Sequence, residues 1–239
     1  MKKLTVIAAG GLLGLVAQTL SAAKINLFEY NFNIDGLVDP APTGLDDASF
    51  DYSTGLGSLT IELTTPGSRY VSFFVDHEID EWSNGWFNET GAMSGSAEAG
   101  QSWEIDEPKF YFGDIFDNFS NGTLDDSIFC GTNPTDNTSY CDSSLEDDVS
   151  MALAWDFTLA TDETALISFD LSDTPAPSGF YLTQTDPDSN QGTGQSIYFS
   201  STLDISSSST PPNPVPAPAP LGLLAAGAFA WGLNRRRSA

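Results

Sequence analysis

Hydrophobic and polar residues alternate along much of this chain with a period of two, which is the period of a β-strand. The alternation runs through residues 57–76, where the turn signal Pro66-Gly67 interrupts it. It runs again through residues 153–171, interrupted by a polar turn at residues 161–163. Because two alternating segments joined by a short turn are typical of a hairpin, we predict a β-hairpin in each region.

Shorter segments show the same alternation and are separated by Gly, Pro, Asn and Asp, the residues that favour turns. We predict further strands at residues 25–30, 101–106, 109–112, 179–184 and 196–205. The segment 113–149, which contains an acidic stretch at residues 146–148, is predicted to form long surface loops with room for a short helix. Many short strands with aromatic residues at inward positions favour a single all-β domain. We predict an antiparallel β-sandwich of jelly-roll or immunoglobulin-like kind, with long acidic loops.

The N-terminal segment departs from this pattern and is typical of a secretory signal peptide. Lys2 and Lys3 precede an apolar run at residues 4–20, and a group of small residues ends at Ala23. A first transmembrane helix is the alternative, but no basic cluster follows the apolar run to stop its transfer. We predict a signal peptide at residues 1–23, cleaved after Ala23 by the export machinery.

The C-terminal segment combines a linker, a proline motif, an apolar run and an arginine cluster. A Ser- and Pro-rich linker at residues 206–214 follows the body at residues 24–205, and residues 215–239 carry the other three features. The apolar run at residues 221–233 is shorter than the roughly 20 residues of a bilayer-spanning helix. A transient, cleaved anchor therefore fits better than a permanent one. The positive-inside effect places the cytoplasmic end of the run at Arg235, Arg236 and Arg237.

This order of features resembles the C-terminal sorting signals of the PEP-CTERM type. The proline motif is similar to the variant built on a Val-Pro-x-Pro-Ala core, and its residues are Val215, Pro216, Ala217, Pro218 and Ala219. Ala217 stands where the commonest form of the signal has Glu. The resemblance implies export by a Gram-negative bacterium, processing by an exosortase (a membrane cysteine protease-transpeptidase) and a transient stage in the inner membrane. It also implies delivery to the cell surface or the extracellular matrix.

The body carries a second, less specific resemblance. Residues 73–81, 101–108 and 179–188 are similar to segments of exported proteins of the same group to which no activity is assigned. The resemblance therefore implies no catalytic residues.

The charge of the body is strongly negative. All 33 acidic residues lie in the body, where Lys24, Arg69 and Lys109 are the only basic ones, and the net charge there is −30. This charge argues against nucleic acid and anionic lipid as partners, because phosphate binding needs Lys and Arg. It favours divalent cations or a salty environment, because ions that screen or bridge the acidic residues reduce their mutual repulsion. A solvated acidic coat that keeps a secreted protein soluble is the alternative.

Two segments carry acidic residues at spacings that suit a hard, oxygen-seeking cation such as calcium. If the preceding strand continues, Asp76, Glu78 and Asp80 lie on one face at alternate positions. Glu104 and Asp106 join them if their segment pairs with that strand. We predict a calcium site from these residues. A polar sheet face that is screened by salt is the alternative.

A third acidic segment begins like a calcium-binding loop, with Asp186, Asp188 and Asn190 at alternate positions. Gly192 comes one residue too late for the helical calcium-loop motif, so the segment is not an EF-hand. Its remaining interpretations are a calcium-binding turn of a β-protein and an ordinary turn between strands.

The two cysteines, Cys130 and Cys141, flank a polar loop that is rich in turn residues. In an exported protein this arrangement predicts one disulfide that closes the loop. The prediction agrees with the signal peptide, because disulfides persist in oxidising compartments.

Sequence motifs give catalysis no support, and we predict that the protein is not an enzyme. The chain has no Gly-x-Ser-x-Gly elbow, and its one histidine, His77, is interpreted as structural or surface-exposed. Exposed aromatic rings can stack on sugars, and four aromatic residues lie in polar surroundings: Trp82, Trp86, Phe87 and Trp103. Burial in the core is the alternative. We predict a structural or adhesive role in an exopolysaccharide matrix. The alternatives are a lectin-like glycan-binding module and a secreted polysaccharide hydrolase.

Overall fold

The computed structural model of the protein describes residues 24–108, 113–132, 138–175, 178–189 and 194–207. The predicted signal peptide, the predicted strand at 109–112, Asn190 and the proline motif, apolar run and arginines of the tail lie outside the described residues. Contacts group the chain into two units, Met1–Ser206 and Ser207–Ala239, and the strand residues described below belong to the first, apart from Ser207.

Two six-stranded sheets contain most of the described strands. The strands of the first sheet lie in the order β2 (Leu37–Asp39), β1 (Ile25–Ile34), β5 (Gly67–Ile79), β11 (Ser150–Leu159), β7 (Gln101–Asp106) and β8 (Ser127–Ile128). Those of the second lie in the order β3 (Leu45–Asp51), β4 (Leu56–Leu63), β12 (Glu163–Ser172), β14 (Gln195–Ser207), β13 (Tyr181–Asp186) and β6 (Thr90–Ser94). Neighbouring strands are mostly antiparallel, while β7 and β8 are parallel.

The remaining described elements are small. A two-stranded ribbon consists of β9 (Cys130–Thr132) and β10 (Ser139–Cys141), and the helices are α1 (Glu81–Asn84) and α2 (Ile115–Asn121). The predicted disulfide is confirmed: Cys130 and Cys141 lie directly opposite each other in the ribbon and their sulfur atoms are 2.04 Å apart.

The two hairpins predicted from alternation are wrong, because in each case the two strands belong to different sheets. Strand β4 pairs with β3 and β12, whereas β5 pairs with β1 and β11. Likewise, β11 lies in the first sheet and β12 in the second. Both connecting turns carry the chain across the sandwich. Alternation takes the same form in a hairpin as in two facing strands, since both bury every second residue.

The main core lies between the two sheets and is formed by inward-facing residues of both. Phe73 lies at its centre, and its ring centroid is 4.3 Å from that of Phe32 in the same sheet. Across the sandwich it is 5.4 Å from the ring of Phe169 and 5.9 Å from that of Phe199. These contacts between facing sheets confirm the predicted all-β sandwich.

The helix α2 packs on the outer face of the first sheet and covers a second, smaller apolar cluster. Phe119 packs there against Phe74 of β5 and Ala152 of β11. The side-chain amide of Asn33 donates to the carbonyl oxygens of Phe119 and Ser120 at 2.7 and 3.1 Å. These bonds hold the helix on the sheet, and the acidic residues described next lie beside it on the same face.

Candidate functional site

A row of polar residues crosses the outer face of the first sheet next to α2. Ser150 of β11 lies opposite Asp76 of β5 on one side and opposite Asp106 of β7 on the other. Directly opposite residues project to the same face of a sheet, so the two carboxylates flank the serine hydroxyl. The expected pairing of the Glu104 segment with the Asp76 strand does not occur, because β11 separates them. At about 4.8 Å per strand, the backbones of Asp76 and Asp106 are about 10 Å apart.

On the β7 side of this row, three carboxylates converge into what we call the Glu104 cluster: Glu104, Asp106, Asp114 and the adjacent Asn118. One oxygen atom from each of the three carboxylates lies within 4.8 Å of the others. The amide nitrogen of Asn118 donates to Glu104 at 3.1 Å and to Asp114 at 3.0 Å. Rotation of this amide would present its oxygen instead, which adds a fourth oxygen ligand for a cation.

Two backbone N–H groups just before α2 hold Asp114 in the cluster, because they donate to carboxylates at and just after the end of β7. The N–H of Asp114 donates to Asp106 Oδ2, and the N–H of Gly113 donates to Glu107 Oε1, both at 3.0 Å. A Cβ at position 113 would lie 2.1 Å from the carbonyl oxygen of Glu107, so this close approach requires glycine.

Burial makes ionisation of the Glu104 cluster unfavourable. Loss of hydration raises the pKa of Glu104 to about 9, and the nearby Asp125 carboxylate adds to the effect. Burial also raises the pKa of Asp106 to about 7, although two backbone N–H groups partly offset it. A bound cation would favour the ionised form of such buried carboxylates, because it offsets the loss of hydration and the repulsion between them.

On the β5 side of the row lies the Asp76 pocket, formed by Asp76, Glu78, Asp148 and Ser150. Asp76 is 1% exposed and Glu78 is 6% exposed. Burial raises the pKa of Asp76 well above its ordinary value, and the carboxylates of Asp148 and Glu78 raise it further. The pKa of Glu78 rises to about 7 and that of Asp148 to about 6, in both cases mainly through burial.

Asp80, predicted to continue this face, does not do so. Strand β5 ends at Ile79, and Asp80 adopts a left-handed conformation with φ 57° just before α1. Its carboxylate accepts a hydrogen bond of 2.9 Å from the backbone N–H of Lys24. Asp80 is therefore a turn residue outside the Asp76 pocket.

The segment that begins at Asp186 follows β13 of the second sheet and is an ordinary turn in its hydrogen bonding. The buried carboxylate of Asp186 accepts bonds of 2.7 and 3.0 Å from the side-chain amides of Asn84 and Asn88. It also accepts bonds from the backbone N–H groups of Asp188 and Ser189. Asp188 is exposed, and it bonds Asp186 through its backbone N–H.

His77 points into the sandwich, away from Asp76 and Glu78. It is fully buried, its Nε2 lies 3.3 Å from the carbonyl oxygen of Gly55, and burial lowers its pKa to about 4. Nearby, the side-chain amide of Gln184 on the second sheet bonds the backbone carbonyl of His77 and the carboxylate of Glu89. Burial raises the pKa of Glu89 to about 9. This polar bridge joins the two sheets, so His77 has a structural place in the fold.

The aromatic residues considered for sugar binding separate into exposed and buried ones. Trp82 is 82% exposed, and Trp86 and Phe87 are also exposed, with ring centroids 5.3 Å apart. Trp103, by contrast, is buried in the core beside Phe180. The segment after β5 therefore presents three aromatic rings on the surface, close in sequence to the Asp76 pocket.

Sequence reasoning found Asp76, Glu78, Glu104 and Asp106 but missed the residues that loops bring to them. Asp114, Asn118 and Asp148 lie outside strands or in α2, where alternation carries no information. The acidic stretch at residues 146–148 and the Gly113-Asp114 pair before α2 were the available signals.

Positive side chains are scarce in the part of the chain that the structure describes. The one ion pair between side chains found there joins Arg69 and Asp35 at 2.7 Å. Comparison of the chain with family models, with curated proteins and with solved structures finds no match. Within the described residues, neither helix has the length and apolar character needed to cross a membrane.

Proposed function

We propose that this protein is exported and acts at the cell surface or in the extracellular matrix, in a structural or adhesive role within exopolysaccharide, with calcium bound to its acidic body. The resemblance of the tail to PEP-CTERM-type signals supports this destination, with exosortase-type processing after a transient inner-membrane stage. The Cys130–Cys141 disulfide supports an oxidising compartment.

The observation that carries the calcium part is the Glu104 cluster. Three carboxylates, two of them buried, converge to within 4.8 Å, and Asp106 and Asp114 both raise the electrostatic cost of ionising Glu104. Oxygen ligands of this kind, with an amide oxygen available from Asn118, suit calcium. Bound calcium would convert this repulsion into a link between β7 and the loop before α2.

Thermal melting of residues 24–207 tests the calcium part. This segment contains every described strand and both apolar clusters, so the contacts that stabilise the sandwich lie within it. At 100 times its Kd, calcium stabilises a folded protein by about 2.7 kcal/mol, which for a domain of this size raises Tm by about 5–10 °C. We expect this shift with calcium and a much smaller one with magnesium, relative to chelator at the same ionic strength.

Two variants locate the effect. Asp114→Asn should remove much of the calcium shift, whereas Asp204→Asn, which changes an exposed carboxylate on β14, should leave it unchanged. Equal melting in calcium and in chelator would mean that the acidic residues form a solvated coat, and the calcium part would then be wrong.

Mass analysis of the exported product tests the destination. We expect the mature protein to begin at Lys24 and to lack the apolar run at residues 221–233. A surface protein that retains this run would contradict exosortase-type processing and favour a permanent anchor.

A glycan-binding module is the second candidate function, and the exposed aromatic rings favour it. Trp82, Trp86 and Phe87 offer faces on which sugars could stack. Affinity electrophoresis in an acidic polysaccharide should show retardation of the body that Trp82→Ala and Trp86→Ala weaken. Retardation that depends on calcium but not on these rings would instead indicate bridging of acidic glycans by bound ions.

A further inference from the structure

The Asp76 pocket contains four buried oxygen atoms for which the described residues provide no hydrogen-bond partner. They are Asp76 Oδ1, Glu78 Oε2, Asp148 Oδ1 and Ser150 Oγ. Buried polar atoms in folded proteins are almost always paired, and leaving one unpaired is costly. Four such atoms in one pocket indicate that a ligand completes it.

Ser150 supplies an observation that is independent of the acidic residues. It carries no charge, has no solvent exposure, and projects into the outer face between Asp76 and Asp106. Its hydroxyl lies near enough to Asp76 to favour the charged form of that carboxylate, but the two groups do not meet with hydrogen-bonding geometry. A ligand that takes a lone pair from the hydroxyl oxygen and another from the carboxylate oxygen would satisfy both groups.

The charges around the pocket point to a cation as that group. Asp148 is flanked by the carboxylates of Asp147, Glu107 and Glu81, each of which raises its pKa. Arg69 forms its ion pair with Asp35 and not with a carboxylate of this pocket. The described carboxylates around the pocket therefore give it a negative electrostatic potential, which favours a cation.

We propose that the Asp76 pocket binds a second divalent cation, which its ligand chemistry identifies as calcium. Carboxylate and hydroxyl oxygens are hard ligands, whereas zinc and copper sites typically use histidine or cysteine. Here His77 faces the core and both cysteines are in the disulfide. The inference deepens the proposed function, because calcium binding is part of it, but it uses separate residues.

The oxygens of this pocket are less tightly gathered than those of the Glu104 cluster, which among the described residues is the only triple of acidic groups within 4.8 Å. Asp148 lies in the loop before β11 rather than in a strand. Calcium tolerates variable coordination, and a shift of this loop would bring Asp148 to an ion held by Asp76, Glu78 and Ser150. The ion would then fasten the loop before β11 to the end of β5.

Equilibrium dialysis of residues 24–207 against calcium tests the inference by counting the ions bound per chain. We expect two for the unchanged protein, one for Asp76→Asn, one for Asp114→Asn and none for the double variant. Asp204→Asn should still bind two. Ser150→Ala should bind the second ion about tenfold more weakly, the effect expected when a supporting oxygen of a metal site is removed.

The outcomes separate this inference from the proposed function. One ion per chain that Asp114→Asn abolishes and Asp76→Asn leaves in place would overturn the second site alone. One ion that only Asp76→Asn abolishes would overturn the Glu104 cluster as a calcium site and support the Asp76 pocket. No bound ion in the unchanged protein would overturn both.

A folding defect is distinguished by stability in chelator. At neutral pH without calcium, folding must either protonate or bury the Asp76 carboxylate, because its pKa is raised in the folded state. Asp76→Asn removes this cost, so the variant should melt at a higher temperature than the unchanged protein without calcium and gain less from calcium. Equal destabilisation in both conditions would mean that Asp76 has only a structural role, and would overturn the inference.

Discussion

Asp76 and Asp186 are both buried aspartates near the C-terminal ends of strands, yet the groups that surround their carboxylates are opposite in kind. Asp186 accepts hydrogen bonds from two side-chain amides and two backbone N–H groups. Asp76 is surrounded by carboxylates and has an oxygen without a partner. Burial alone therefore does not identify a cation site. What distinguishes the two sites is whether the fold supplies donors to the buried charge.

The largest effect is expected from removing the satisfied carboxylate. Asp186→Ala would leave four donors unpaired, and the free energy of unfolding should fall by about 3 kcal/mol or more. Urea unfolding in calcium and in chelator measures this loss, which we expect to be equal in the two conditions. A loss confined to the calcium condition would place an ion at Asp186 and remove the difference between the two aspartates.

The next largest effect is expected from pH, because raised pKa values link stability to protonation. Glu104 and Glu89 have a folded-state pKa of about 9 and Glu78 one of about 7, all above their ordinary values. The folded state therefore binds more protons than the unfolded state between pH 5 and 9, and stability falls as pH rises. In chelator we expect a loss of about 2 kcal/mol or more between pH 5.5 and pH 8.

The titration of His77 and the binding of calcium both change the expected dependence of stability on pH. His77, with its pKa lowered to about 4, acts in the opposite direction and removes stability as pH falls from its ordinary value near 6.5 towards 4. Saturating calcium should flatten the loss at higher pH, because the ion binds the deprotonated carboxylates. A pH profile that is the same with and without calcium would contradict ion binding at either acidic group.

The smallest effect is expected from Lys109, the basic residue nearest in sequence to the acidic loop after β7, which lies outside the described residues. If cations rather than Lys109 compensate the buried carboxylates, Lys109→Gln should change the stability of the chelated body by less than about 0.5 kcal/mol. Thermal melting in chelator measures the change. A loss of several degrees would show that Lys109 supplies part of the missing positive charge.

Part of the candidate site could be read from the alternation of residues along single strands. Asp76 and Glu78 share a face because the strand continues to Ile79, and Glu104 and Asp106 share a face in the same way. The glycine and loop contacts that bring in Asp114, and the loop that carries Asp148, depend on chain segments distant from those strands. Spacing along the sequence does not predict contacts between such distant segments.

Most of the long strands, the all-β class, the disulfide and the acidity of the body follow from the sequence, because they depend on local alternation, turn residues and composition. The short strands, the sheet that each strand joins, the place of β11 between β5 and β7 and the donors to each buried carboxylate come from the tertiary structure. Alternation specifies which side of a strand is buried but not which strand lies beside it. The neighbouring strands and loops determine whether a buried charge is satisfied.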